Sequence, residues 1–382
     1  MRIVHFASFA PCACGLYEAA RDMVIADRLS GHETYLVDVG ITTSIKGELK
    51  HEEGAPGKKD NRGGTEIISE DPSIAYKADV LIFHTGVPDN WIVQCQAPII
   101  WILHGRPLAC FRPEQFGSGN SYSLIATIAR WPRVKAIVTF WQHHIPYWLP
   151  IIPSEKLVCF PAPPIDEKRF CKDGEKHDFK EMGGKWNIML AESWREDVDM
   201  YEIVHGAIEF AKTRTDIKFH FYGLVIPFPA CWELLVAELR KLNALGELWA
   251  RRENIQEIYH AVDILLSPQR IITRTIGEAL SCGTPVIAAN GCAEATWTTF
   301  PDEPFEVADT LKLALSELEY NKENILKRVQ MNAKVFSLAN YSLQMNQLYK
   351  KVTNQSEVPL AVREIDSDPA KVGDFVEKFP TE

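Results

Sequence analysis

The 382-residue chain has no apolar run approaching the ~20 residues that a membrane-spanning helix needs. Met1-Arg2 leads directly into the strand-like Ile3-Val4-His5-Phe6-Ala7, so no secretory leader pattern is visible. The nine cysteines are odd in number and follow no repeating spacing, which argues against a disulfide framework and fits a reducing compartment. Cys12-Ala13-Cys14 lacks a second Cys/His pair at zinc-type spacing and reads as a small-residue turn. Together these absences predict a cytoplasmic protein. No internal repeat of fixed period is present. Asp-x-Asp triplets occur only as Asp197-Val198-Asp199, at a helix start, and Asp366-Ser367-Asp368, in the tail. Neither is placed to hold a divalent cation in a strand-end loop, so no metal is expected. Positive charge is also scarce. The formal net charge is −10, against a protein that holds nucleic acid by bulk electrostatics. Residues 354–382 contribute −4 of it and read as an acidic, unstructured tail, leaving a mild −6 on the body.

What remains is an ordinary globular composition, 46% hydrophobic and 24% charged, on a chain long enough for two domains. Short apolar runs recur at 2–8, 34–39, 79–84, 99–103 and 136–140, with helical spacing at 16–29 between the first two. Continuous apolar strands separated by helices predict a parallel sheet covered on both faces. The polar stretch 45–75 reads as a long loop. Prolines and charges cluster at 161–185, and a second series follows. Its strands are expected at 186–190, 217–222, 263–266 and 285–289, and its helices at 200–212, 231–242, 254–261 and 276–282. The fold class is α/β, with two or three closing helices, the last at about 338–352.

Open α/β sheets bind ligands beyond the carboxyl ends of their strands, so functional residues are sought there. Gly15 follows the first strand at the entry to a helix, where backbone N–H groups can approach a phosphate or sugar. His84-Thr85-Gly86 and His104-Gly105-Arg106 each end a buried strand. Such a histidine either meets a ligand or acts in proton transfer, or is satisfied by nearby backbone. Trp101, Trp131, Trp141 and Trp148 crowd the first half, either as a stacking surface or as core. The third stretch is Ser267 to Asn290. There Glu278 starts a small-residue helix before a Gly-Thr-Pro turn and an apolar strand. A carboxylate so placed can take two ribose hydroxyls while the helix start faces a diphosphate.

Glu278-Ala279-Leu280-Ser281-Cys282-Gly283-Thr284-Pro285-Val286-Ile287 resembles the Glu-Ala-Met-Ala-Cys-Gly-Thr-Pro-Val-Ile signature of GT-B glycosyltransferases of the family 4 type. Cys14 to Glu18 with Gly31-His32-Glu33, Pro164-Ile165-Asp166 before Arg169-Phe170, and Phe336-Ser337 with Tyr349 resemble further family motifs, across about residues 1–352. The resemblance implies two Rossmann-like domains facing across a cleft. The acceptor-side domain spans 1–165, the nucleotide-sugar-binding domain 170–335, and a helix at 338–352 returns to the first. It further implies a retaining, metal-independent hexosyltransferase that uses a nucleoside-diphosphate sugar such as a UDP-sugar, with no cofactor. The acceptor would be a glycan, a small molecule or a modified nucleic acid. A non-catalytic sugar-nucleotide-binding protein is the alternative. Donor-binding residues on this reading are Gly15, Arg195, Arg274, Thr275, Gly277 and Glu278, and catalytic ones are His104, Arg195 and Arg270. The family's first glutamate falls on Arg270 here, and its basic phosphate clamp is replaced by Ala191-Glu192-Ser193-Trp194-Arg195-Glu196-Asp197. The expected compensation is that Arg195, with Arg270 or Arg274, meets the diphosphate.

Overall fold

The computed structural model describes residues 1–7, 15–38, 68–69, 72–84, 95–104, 107, 121–192, 200–223, 230–249, 252 and 254–354. Two parallel sheets organise them. The first contains β1 (Arg2–Ala7), β2 (Glu33–Asp38), β3 (Ile68–Ser69), β4 (Val80–His84), β5 (Ile99–Ile102), β6 (Val134–Thr139) and β7 (Leu157–Cys159), in the order 3-2-1-4-5-6-7. The second contains β8 (Trp186–Ala191), β9 (Ile217–Tyr222), β10 (Leu245–Trp249), β11 (Ile264–Leu266), β12 (Val286–Ala289) and β13 (Trp297–Thr299), in the order 10-9-8-11-12-13. Each order reverses beside its first strand, as in a Rossmann sheet, and that reversal opens a crevice beyond the strand ends.

The described helices are α1 (Gly15–Leu29), α2 (Tyr122–Ala129), α3 (Ile145–Trp148), α4 (Met200–Ala211), α5 (Ala230–Lys241), α6 (Ile255–Ala261), α7 (Arg274–Ser281), α8 (Pro304–Ala333) and α9 (Leu338–Val352). Alternation along the strands sorts the first core into two layers. Val4, Phe6, Leu81, Phe83, Ile99 and Trp101 pack on one face. Ile3, Val80, Ile82, Ile100 and Ile102 pack on the other, against Met23 and Ala26 of α1 and Tyr341, Met345 and Tyr349 of α9. The last helix therefore returns to the first sheet. Tyr349 donates its hydroxyl to Asp27 at 2.7 Å, and Ser342 donates to the Ala26 carbonyl at 3.1 Å. The chain crosses between the sheets twice, and the crossings touch where Ile165 N–H donates to the Phe336 carbonyl at 2.8 Å.

Four strands depart from the sequence reading, β3, β7, β10 and β13, and they are the four sheet edges. The stretch 45–75 contains β3 and the start of a 3-10 turn that runs from Pro72 to Lys77, and its remainder lies outside the described residues. So do the acidic residues 355–382. No described helix is long and apolar enough to cross a membrane.

Candidate active site between the two sheets

Several contacts bring the carboxyl edges of the sheets together. Ile271, from the loop after β11, packs in the core layer of Phe140 and Trp141, and Trp141 Nε1–H donates to the Ile272 carbonyl at 3.1 Å. The first residue of α1, Gly15, faces the first residue of α7. A Cβ on Gly15 would lie 4.0 Å from that of Arg274. Two helix starts thus meet across the cleft. The α7 N-cap, Thr273, has extended backbone but does not cap the helix. Its hydroxyl bonds instead to that of Thr275 at 2.8 Å. Among the described residues no side chain caps the first-turn N–H groups of α7, and that is the arrangement of an anion-binding helix start.

Behind these starts lies a buried ionic network. Arg274 reaches Asp22 of α1 with Nη2 at 2.7 Å and Glu278, one turn further along α7, with Nε at 2.7 Å. Arg21 approaches Asp22 at 3.2 Å and Asp166 at 3.4 Å, and Arg169 pairs with Glu18 at 2.8 Å. Asp166 N–H donates to Asp22 at 3.0 Å and the Tyr259 hydroxyl to Glu278 at 3.2 Å. Burial raises the carboxyl pKa of Asp22 against the opposing pull of Arg274 and Arg21. It raises that of Glu278 against Arg274 and Arg169. Burial also works against the Arg274 cation, but Asp22, Glu278 and Glu18 together hold its pKa above the ordinary value.

On the first sheet, three histidines form a line. His5 Nε2 lies 2.9 Å from Asp27 Oδ2, and His5 Nδ1 lies 2.9 Å from His84 Nε2. His84 Nδ1 in turn lies 2.9 Å from His104 Nε2. His5 pairs in register with Ile82, and His84 with Ile102. Each step therefore moves one strand across and two residues toward the carboxyl edge, so all three rings share one face. Burial, then the neighbouring His104 and His5, hold His84 well below the usual imidazole pKa. Burial pushes His104 down to about 3.

The expected site residues are distributed as follows. His104, Gly15, Thr275, Arg274 and Glu278 lie at the strand and helix ends that border the cleft. Arg274 pairs with two carboxylates through Nη2 and Nε, while its buried Nη1 has no hydrogen-bond partner among the described residues. Gly277 N–H donates to the Thr273 carbonyl at 3.1 Å. What requires a glycine there is packing, since a Cβ would come within 2.7 Å of the Phe336 ring. Arg270 turns to its own domain, bonding Asn290 at 3.1 Å and Asp302 at 3.0 Å. Nearby Gln269 donates to Glu192 at 2.7 Å, linking the ends of β11 and β8. Arg195 and Cys12-Ala13-Cys14 lie outside the described residues. Trp101, Trp141 and Trp148 are buried, which favours the core reading for them. The sequence reading missed His5 and Asp27, which sit mid-strand and mid-helix with no motif to mark them.

No protein-family model matches the chain, and no curated protein matches it. Solved structures do. A glycosyltransferase from Rickettsia africae has a TM-score of 0.66 at 15% identity, over 93% of this chain and 99% of that one. HepE from Anabaena, in complex with UDP and glucose, has a TM-score of 0.65 at 13% identity, over 92% and 100%. An alpha-glucosyltransferase in complex with UDP-glucose and DNA containing an abasic site has 0.63 at 12%, over 92% and 99%. At these identities the likeness concerns architecture. The chain has the GT-B fold, two Rossmann-like sheets across a cleft with a terminal helix returning to the first.

Proposed function

We propose that the chain is a glycosyltransferase that moves a hexosyl group from a nucleoside-diphosphate sugar to an acceptor hydroxyl, in the cytoplasm. The observation that carries this reading is Glu278 beside the uncapped start of α7, which faces the start of α1 across a GT-B cleft. An ionised carboxylate offers about four lone-pair positions, of which the Tyr259 hydroxyl takes one, with Arg274 beside it as an ion pair. Those that remain suit the ribose hydroxyls of a nucleotide. Arg274, by pairing with Glu278, favours the ionised form that accepts both. The diphosphate then falls on the first-turn amides of α7 and the Thr275 hydroxyl, and the sugar extends toward His104.

The charge that develops on the leaving diphosphate must be met by a cation or a helix start. With Arg274 and Arg270 engaged elsewhere, Arg195 is the proposed cation, beside the α7 amides. Transfer is proposed to retain configuration, as the resemblance of the Glu278 block implies. It is proposed to be metal-independent, because no strand-end loop carries Asp-x-Asp, and to need no cofactor. UDP-sugars are the first donors to test, since HepE and the alpha-glucosyltransferase were each solved with UDP or UDP-glucose. A non-catalytic sugar-nucleotide-binding protein is the second reading. It is favoured by arginine at 270 and by that side chain turning to Asn290 and Asp302.

The test is calorimetric titration with UDP-, GDP- and ADP-sugars, on the parent and on Glu278→Gln. One nucleotide class should bind, and the variant should lose about 1.5–3 kcal/mol of that affinity. Unchanged binding by a folded Glu278→Gln would remove Glu278 from the donor site.

A further inference from the structure

The buried histidine line has a direction, and Asp27 sets it. Its Oδ2 receives both the Tyr349 hydroxyl and the His5 ring nitrogen, so it acts as an acceptor. His5 must then donate from Nε2. A neutral His5 is left with a bare Nδ1, which can only accept. His84 therefore donates from Nε2 and accepts at Nδ1. His104 donates from Nε2 to His84, and its own Nδ1 is left as a lone pair. Among the described residues that Nδ1 has no hydrogen-bond partner. One carboxylate fixes three tautomers in series, because each neutral ring has one donor and one acceptor.

We propose that Asp27, His5 and His84 are positioning residues that hold His104 as the Nε2–H tautomer and present its Nδ1 to the cleft as an acceptor. The proposal deepens the role given to His104 above and rests on it for its catalytic consequence. The ligand group facing Nδ1 would then be a donor, a hydroxyl of the sugar or of the acceptor. A phosphate oxygen, which only accepts, would be excluded. The alternative charge state makes the opposite display. A doubly protonated His5 would donate to both Asp27 and His84, reverse every bond beyond it, and leave His104 with a proton on Nδ1. Burial disfavours an added charge on His84 or His104 themselves, so the two displays differ by one proton on His5, and the protonation of His104 Nδ1 tells them apart.

The experiment is side-chain nitrogen NMR on the full-length protein labelled with 15N-histidine, with the His104 signals assigned from their loss in His104→Asn. The expected result is an unprotonated Nδ1 and a protonated Nε2 on His104. A protonated Nδ1 would overturn the proposal. His84→Gln keeps an acceptor toward His104 and a donor toward His5, so the tautomer should persist. His84→Leu removes both, and the His104 tautomers should mix. Persistence of the single tautomer in the leucine variant, or its loss in a folded glutamine variant, would also overturn it. In turnover, kcat should fall by about tenfold or more in His84→Leu and be largely rescued in His84→Gln. The NMR result does not depend on activity. A confirmed tautomer without any transferase turnover would reject the proposed function and leave the line intact.

Discussion

Arg274→Met tests the network that joins the two sheets. The substitution keeps the apolar stem and removes the guanidinium lying 2.7 Å from both Asp22 and Glu278. The network then holds two cations, Arg21 and Arg169, against four buried or nearly buried carboxylates, Glu18, Asp22, Asp166 and Glu278. Asp22 is 0% exposed and keeps Arg21 at 3.2 Å and the Asp166 N–H at 3.0 Å. Glu278 keeps Tyr259. Removing one partner of a buried pair strands the other charge, so the expected loss is about 3–5 kcal/mol. Neutralising the stranded acids should return most of it. The triple variant Arg274→Met, Asp22→Asn, Glu278→Gln is expected to be more stable than Arg274→Met alone. The sign of the pH effect follows from the same acids. Their folded pKa values are already raised by burial, and losing Arg274 raises them further. At these two acids the folded variant then binds more protons than its unfolded chain, so the deficit of Arg274→Met relative to the parent should shrink as pH falls from 7 toward about 4, the buried histidines acting alike in both proteins. Urea unfolding read by tryptophan fluorescence and far-UV circular dichroism measures all three quantities, provided the two probes coincide. A single-variant loss under about 1 kcal/mol, or a triple variant no more stable than the single, would refute the network as drawn.

Gly277→Ala should destabilise by about 1–3 kcal/mol, because the new methyl meets the Phe336 ring, although alanine favours helix; a rise in thermal midpoint would contradict the packing. Trp141→Phe deletes the bond to the Ile272 carbonyl and should cost about 1 kcal/mol in the same unfolding assay. In steady-state kinetics Arg195→Ala should lower kcat more than donor affinity, since the added charge appears only as the bond breaks. Arg270→Ala should act weakly on both, its contacts being Asn290 and Asp302. Transfer should survive exhaustive chelation; activity abolished by chelator and restored by manganese or magnesium would refute metal independence.

The interior strands were legible because both of their faces are buried, and a doubly covered strand must be a continuous apolar run. Ile217–Tyr222 lies where the run predicts it. The four edge strands escaped because they are very short or not uniformly apolar. Leu245–Trp249 carries Gly246 and Glu247, with Trp249 44% exposed, and Ile68–Ser69 spans two residues. An edge has one neighbour, so its sequence need not be uniformly apolar. At the site, His84 and His104 could be found because they end apolar runs, whereas His5 differs from its strand neighbours only as a polar residue at a buried position. The Glu278 block was readable as a motif. Its capture by Arg274, and the pairing of Arg274 with an acid 252 positions earlier, depend on how the two sheets meet. Pattern within one element carries no information about that.

The central claim is donor-dependent sugar transfer, and its most direct measurement is the release of nucleoside diphosphate from a panel of sugar nucleotides, with and without candidate acceptor hydroxyl compounds. The account predicts that one donor class yields nucleoside diphosphate above the uncatalysed rate, through slow hydrolysis alone and faster with a suitable acceptor, and that Glu278→Gln and Arg195→Ala lose that release. Saturable binding of a sugar nucleotide by the folded parent protein, with no release under any acceptor condition, would contradict it and leave a binding protein on a GT-B fold.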